Sequence, residues 1–141
     1  MGRRGRRALT DTRTAARAWI DAWSRGWREH DPELIAERYA EDAYVLTAPF
    51  REPRVGGAGI AAYACEAFEG EEFVECWFGE PIVAGDRASV EWRAVGVFEG
   101  RPYTLEGHSK LRFGPDGLVV DHREYWHESD RQEAAPEGWG R

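Results

Sequence analysis

Cysteine is scarce in this sequence. There are two, Cys65 and Cys76, in no spacing that suits a zinc ion or a disulfide framework. Reduced thiols and a cytoplasmic setting are therefore expected. Positive charge is also short: 19 Lys and Arg against 26 Asp and Glu leave a net charge of −7. That balance argues against nucleic acid or an anionic membrane as a partner. The basic tip Arg3-Arg4-Gly5-Arg6-Arg7 is a local exception, but no hydrophobic run follows it. It therefore reads as neither a signal peptide nor a membrane anchor, and residues 1–9 read as a disordered basic tail. Internal repeats and low-complexity runs are missing. His30, His108 and His127 stand in no ligand spacing with carboxylates or cysteines, so no metal is expected, and no other cofactor is indicated.

What the chain has in plenty is aromatic surface: seven Trp in 141 residues. That length suits one domain burying about two thirds of its extended-chain surface.

The most structured stretch runs from Val90 to Trp126. Glu99-Gly100 reads as a two-residue hairpin turn, and folding there pairs Arg93 with Glu106, Glu91 with His108 and Trp92 with Gly107. Gly114-Pro115-Asp116-Gly117 reads as a second turn, pairing Lys110 with Asp121, Ser109 with His122 and Leu105 with Trp126. Both turns give the same two faces. One carries opposite charges across strands: Glu91, Arg93, Glu106, His108, Lys110, Asp121 and Arg123. The other, carrying Trp92, Ala94, Phe98, Tyr103, Leu105, Leu111, Phe113, Val120 and Trp126, must lie inside. Ser109, His122 and Glu124 share that inner face. An imidazole and a carboxyl are expensive to bury unless satisfied, so their setting is a concave, partly wet pocket.

Upstream, Ala16, Trp19, Ile20, Trp23 and Trp27 share one face of a helix over about Thr10–Arg28, with Asp11 or Thr12 as its cap. Asp31-Pro32-Glu33 opens a second helix continuing through Leu34, Ile35, Arg38 and Tyr39. Asp42–Ala48 reads as a strand, and Gly56-Gly57 opens a third helix ending at Gly70. Phe73–Val83 reads as one strand, turned back by Ala84-Gly85-Asp86-Arg87. Residues 129–141 are polar and read as a flexible tail, leaving 10–128 as the domain. Helices followed by consecutive antiparallel strands make an α+β domain.

The motifs Tyr39-Ala40-Glu41-Asp42-Ala43, Pro49-Phe50, Gly85-Asp86-Arg87, Leu111-Arg112-Phe113 and Asp116-Gly117-Leu118-Val119-Val120 occur in the order of a known family. The chain resembles the SnoaL-like branch of the nuclear transport factor 2-like superfamily over roughly Thr12–His127. The resemblance implies a cone: a curved antiparallel sheet wrapped around three N-terminal helices, with a cavity inside. It also implies a homodimer, supported by Val95 and Val97 on the outward face. Gly100-Arg101-Pro102 through Arg112-Phe113 resembles the strand pair of the ketosteroid isomerases. Their oxyanion-donating aspartate is replaced here by Ser109, and their base, just before a proline, by Ala48. That mechanism is therefore not carried over. The paired carboxylates and arginine of the limonene epoxide hydrolases find no counterparts either. SnoaL-like cyclases use an inward His and an acid on the late strands for proton transfer, and His122 with Glu124 is similar in kind.

The expected catalytic pair is thus His122 and Glu124. Trp92, Phe98, Tyr103, Ser109, Trp126, Tyr39 and Tyr63 are expected to line a pocket for a small hydrophobic molecule. No strained nucleophile elbow surrounds Ser109, so an acyl-enzyme is not expected. Two functions remain open: acid–base chemistry on a small apolar carbonyl compound, with His122 as base and Glu124 or Tyr103 assisting, or sequestration of a hydrophobic ligand without turnover.

Overall fold

The computed structural model describes residues 10–141, so the expected tail at 1–9 lies outside the described residues. The elements in order are α1 (Thr12–Glu29), α2 (Pro32–Ala36), β1 (Tyr39–Leu46), β2 (Arg54–Val55), α3 (Gly56–Phe68), β3 (Glu71–Phe78), β4 (Ile82–Ala84), β5 (Arg87–Phe98), β6 (Arg101–Phe113) and β7 (Val119–Ser129). The strands form one sheet in the order β2-β1-β7-β6-β5-β3, with β4 beside β5. Every pairing is antiparallel except β1 with β7. The α+β cone expected from the sequence is the observed fold. No described helix is long and apolar enough to cross a membrane.

Local chemistry explains the helix starts. The Asp11 carboxylate accepts from the Arg13 backbone N–H, and Asp31 accepts from those of Glu33 and Leu34, satisfying donors that a first helical turn leaves free. Trp19, Trp23, Ile35, Ile60, Ala64 and Phe68 then pack against Val45, Val90, Leu111 and Val119 on the concave side of the sheet. This packing fills the narrow end of the cone.

The first hairpin folds as read. Glu99 and Gly100 both take positive φ, 50° and 80°, and Trp92 lies opposite Gly107 with Arg93 opposite Glu106. The second hairpin corrects the sequence reading by two residues. Lys110 faces Arg123 rather than Asp121, Ser109 faces Glu124 rather than His122, and Leu105 faces Glu128 rather than Trp126. Two extra residues account for it. Leu118 belongs to the turn, its carbonyl accepting from the Gly114 N–H at 2.8 Å. Val120 is a bulge between the pairs Phe113–Val119 and Arg112–Asp121. A displacement of two preserves alternation, so Ser109, His122 and Glu124 still point inward. Val119 takes the buried place expected of Val120, which is half-buried.

Two boundaries also differ. The second helix stops at Ala36, and Tyr39 opens β1 instead of closing α2. The Arg38 carbonyl there accepts from the Val119 N–H at 2.9 Å, which starts the pairing of β1 with β7. The single strand expected over Phe73–Val83 divides at Gly79-Glu80-Pro81, where proline supplies no ladder donor.

Residues 131–140, expected as a free tail, cross the outer face of the sheet. Arg93 donates to the Glu133 and Ala134 carbonyls, Gln132 to the Gly96 carbonyl and Trp139 Nε1 to Glu106. Thr104 exchanges hydrogen bonds with the backbone of Arg131 and Glu133. Val95, an outward residue that suggested self-association, is only 5% exposed within the chain itself.

Candidate functional site

Four cross-strand rows of β5, β6 and β7 set the depth of each inward residue. From the narrow end they read Ala88–Leu111–His122, Val90–Ser109–Glu124, Trp92–Gly107–Trp126 and Ala94–Leu105–Glu128. The helices fill the first row. Beyond it the cone stays open, leaving a cavity of about 420 Å³ lined by Trp19, Trp23, Trp27, Tyr63, Phe68, Phe78, Trp92, Phe98, Tyr103, Trp126 and Glu124.

This layering divides the residues singled out in the sequence. Trp92, Phe98, Tyr103, Trp126, Tyr63 and Glu124 line the cavity, whereas Tyr39, Ser109 and His122 do not. His122 has no exposed surface at all. Its row is the innermost, and the indole of Trp19 packs edge-on against its ring at 5.6 Å.

A buried polar chain joins the two groups of residues. Trp19 Nε1 and Trp23 Nε1 donate to the Tyr39 hydroxyl at 2.9 and 3.0 Å. The oxygen's acceptor capacity is then spent, so its own proton goes to His122 Nδ1, 2.8 Å away. Nδ1 therefore accepts, and the ring's proton lies on Nε2. Nε2 sits 3.0 Å from Glu124 Oε1, yet no hydrogen bond satisfies it. The carboxylate lies close to the ring nitrogen but off the line of its N–H, an electrostatic contact rather than a formed hydrogen bond. From the other side, Trp92 Nε1 donates to Ser109 Oγ at 3.1 Å, and Ser109 donates to Glu124 Oε1 at 3.4 Å. Glu124 Oε1 is thus held from behind. Its Oε2 has no protein partner among the described residues, and the side chain is 9% exposed.

The sequence reading missed three further carboxylates of the cavity lining, the exposed Glu66 and Glu128 and the deeply set Glu71. Trp27 Nε1 donates to its Oε1 at 2.7 Å and the Tyr103 hydroxyl to its Oε2 at 2.9 Å. Glu71 opens β3 within Glu69-Gly70-Glu71-Glu72, which looks like a solvated turn. A register shift between Phe73 and Glu75 breaks the alternation that would have flagged it. Tyr103 is therefore committed to Glu71, while the Tyr63 hydroxyl has no protein partner among the described residues. At the rim, Arg54 makes two hydrogen bonds to Glu66 and covers Tyr63, and Arg51 lies over Trp126.

Burial holds the phenols of Tyr39, Tyr63 and Tyr103 well above the ordinary tyrosine range; the charge of Glu124 adds to it for Tyr39 and Tyr63, and that of Glu71 for Tyr103. The folded chain keeps protons that the unfolded chain releases near pH 10. Their contribution to stability is therefore complete below that pH and is lost as pH rises through it. Each fully buried phenol removes about 1.4 kcal/mol per further pH unit. Phenolate absorbance during an alkaline titration should show these three of the chain's five tyrosines ionising only with unfolding. Smooth ionisation of all five in the folded protein would contradict the buried chain.

A curved sheet closed by helices around an inner cavity defines the nuclear transport factor 2-like class of domain. Within that class, the SnoaL-like domain family matches residues 16–122, and the chain belongs to it. Solved structures share the fold at low identity. A hypothetical protein of Catenulispora acidiphila, with a ketosteroid isomerase-like fold and in complex with trimethylamine, is 18% identical with a TM-score of 0.67, over 76% of this chain and 83% of its own. An LEH-like epoxide hydrolase of Mycobacterium tuberculosis is 14% identical with a TM-score of 0.67, over 83% and 86%. The Mycobacterium tuberculosis protein RV0760c is 16% identical with a TM-score of 0.71, over 85% and 98%.

Proposed function

We propose that this domain binds a small, largely apolar carbonyl compound in its cavity and moves a proton on it, with Glu124 as the base. One observation carries the reading: an almost fully buried carboxylate faces an aromatic cavity with one oxygen held and the other free. A carboxylate so fixed can accept a proton from the carbon beside a carbonyl without first reorganising. The free Tyr63 hydroxyl, which keeps its proton, is the donor available to the developing enolate oxygen. His122 acts as a positioning residue, its Nε2 beside Glu124 and its ring fixed by Tyr39.

Deuterium incorporation beside the carbonyl, followed by proton NMR over a panel of small cyclic ketones in heavy water, tests the reading. The wild-type protein should accelerate exchange, and Glu124→Gln should reduce the rate by about 10²–10⁴-fold. Indole fluorescence quenching by the same ketones should persist in the variant. Equal exchange rates in both proteins would reject the base. A second reading would then hold, a protein that sequesters an apolar molecule; the sealing of His122 away from the cavity favours it.

A further inference from the structure

The lining charges of the cavity are unevenly placed. Arg51 and Arg54 both belong to the rim: Arg54 is engaged by Glu66, and Arg51 lies over the outer indole of Trp126. Of the four lining carboxylates, Glu66 and Glu128 are exposed, while Glu71 and Glu124 are set deep. Glu71 has a side chain 6% exposed and Glu124 one 9% exposed. Neither touches Lys or Arg among the described residues. Their partners are indole N–H groups, hydroxyls and imidazoles. Among the described residues, His30 lies near Glu71, with Nε2 3.5 Å from Oε1 and its ring stacked on Phe68.

Around Glu71 the wall is made of ring surfaces. Trp27 and Trp92 meet edge to face, centroids 6.2 Å apart, with Tyr103 and Phe68 beside them on the same cavity. Aromatic faces carry negative potential and attract cations, most strongly where water is excluded. A neutral apolar ligand that filled the cavity and displaced its water would leave two deep carboxylates facing it with no Lys or Arg partner among the described residues, which costs free energy. A cation bearing methyl or methylene groups would satisfy both demands at once.

We infer that the ligand of this cavity carries a positive charge, an alkylammonium group seated between Glu71 and the Trp27 and Trp92 rings. The inference deepens the proposed function, since it assigns the chemical class of the molecule on which Glu124 acts. Glu71 is the specificity-determining residue, and its hydrogen bonds from Trp27 and Tyr103 fix both oxygens for the task.

The test compares two probes of the same shape, (2-hydroxyethyl)trimethylammonium and its neutral carbon isostere 3,3-dimethylbutan-1-ol. Each is titrated against indole fluorescence at about pH 8.5, above the range in which imidazoles ordinarily gain a second proton. The cation should bind wild-type protein at least about tenfold more tightly, about 1.4 kcal/mol. Glu71→Gln, which keeps one acceptor oxygen but no charge, should bring the ratio of the two probes' affinities to about one. Equal or weaker binding of the cation by wild-type protein would overturn the inference, and this comparison needs no variant to fold. A preference lost in Glu124→Gln but kept in Glu71→Gln would also overturn it. The ketone-exchange assay separates the two readings. Exchange without cation preference rejects only the charge assignment; cation preference without exchange rejects only the base.

Discussion

Gly107→Val is expected to lower stability by about 3 kcal/mol or more, beyond the usual range for overpacked cores. Gly107 is the middle of the row Trp92–Gly107–Trp126, where β6 runs between two indole-bearing strands. A Cβ there would lie 2.1 Å from the Tyr125 carbonyl oxygen and 2.6 Å from Trp126 Cβ. The first of these is backbone, so no rotamer change relieves the contact. The strands would have to separate, and the wall of the cavity would move with them. Even Gly107→Ala should be costly. Urea unfolding measures it: the midpoint should fall for both variants, with valine the lower. An alanine variant as stable as wild type would mean that β6 and β7 do not approach as closely as this geometry requires.

Tyr39→Phe should be comparably severe, at about 3–5 kcal/mol. One oxygen serves two indole N–H donors and the imidazole of His122, and all three sit in the core. Removing it leaves several polar groups without a partner where no water reaches, at about 1–3 kcal/mol each. The hydroxyl's own desolvation is recovered, which holds the sum below a simple total. His122 would also lose the contact that fixes its tautomer. Nitrogen-15 NMR of the imidazole should report a protonated Nε2 and a bare Nδ1 in the wild-type protein and a mixture in the variant. A loss under 1 kcal/mol with an unchanged tautomer would show that the hydroxyl is not the hub of the chain.

Both expectations concern residues whose chemistry was visible in the sequence while their surroundings were not. Gly107 was recognisable as the small partner of Trp92. Its close approach to Tyr125 and Trp126 depends on β7, whose register was displaced by Leu118 and Val120. Tyr39 stood in a family-like motif, but its neighbours Trp19 and Trp23 come from α1 and His122 from β7. The first hairpin was fully legible, because a two-residue turn with positive φ leaves no freedom in pairing. The second was legible only in its parity, because a longer turn and a bulge can trade residues without reversing the faces.

The sequence by itself therefore determined the α+β cone, the inward placement of Ser109, His122 and Glu124, and the aromatic nature of the cavity. The cone comes with the family resemblance, whereas the α+β class, the inward faces and the aromatic lining follow from alternation, turn chemistry and local spacing, which are properties of neighbouring residues. Only the tertiary structure decided depth. It put His122 behind the wall and Glu124 on it, brought Glu71 into the same cavity, and laid residues 131–140 over the outer face. Depth depends on how far helices fill a curved sheet and where strand registers slip. Those are sums over contacts between distant parts of the chain, and no local pattern records them.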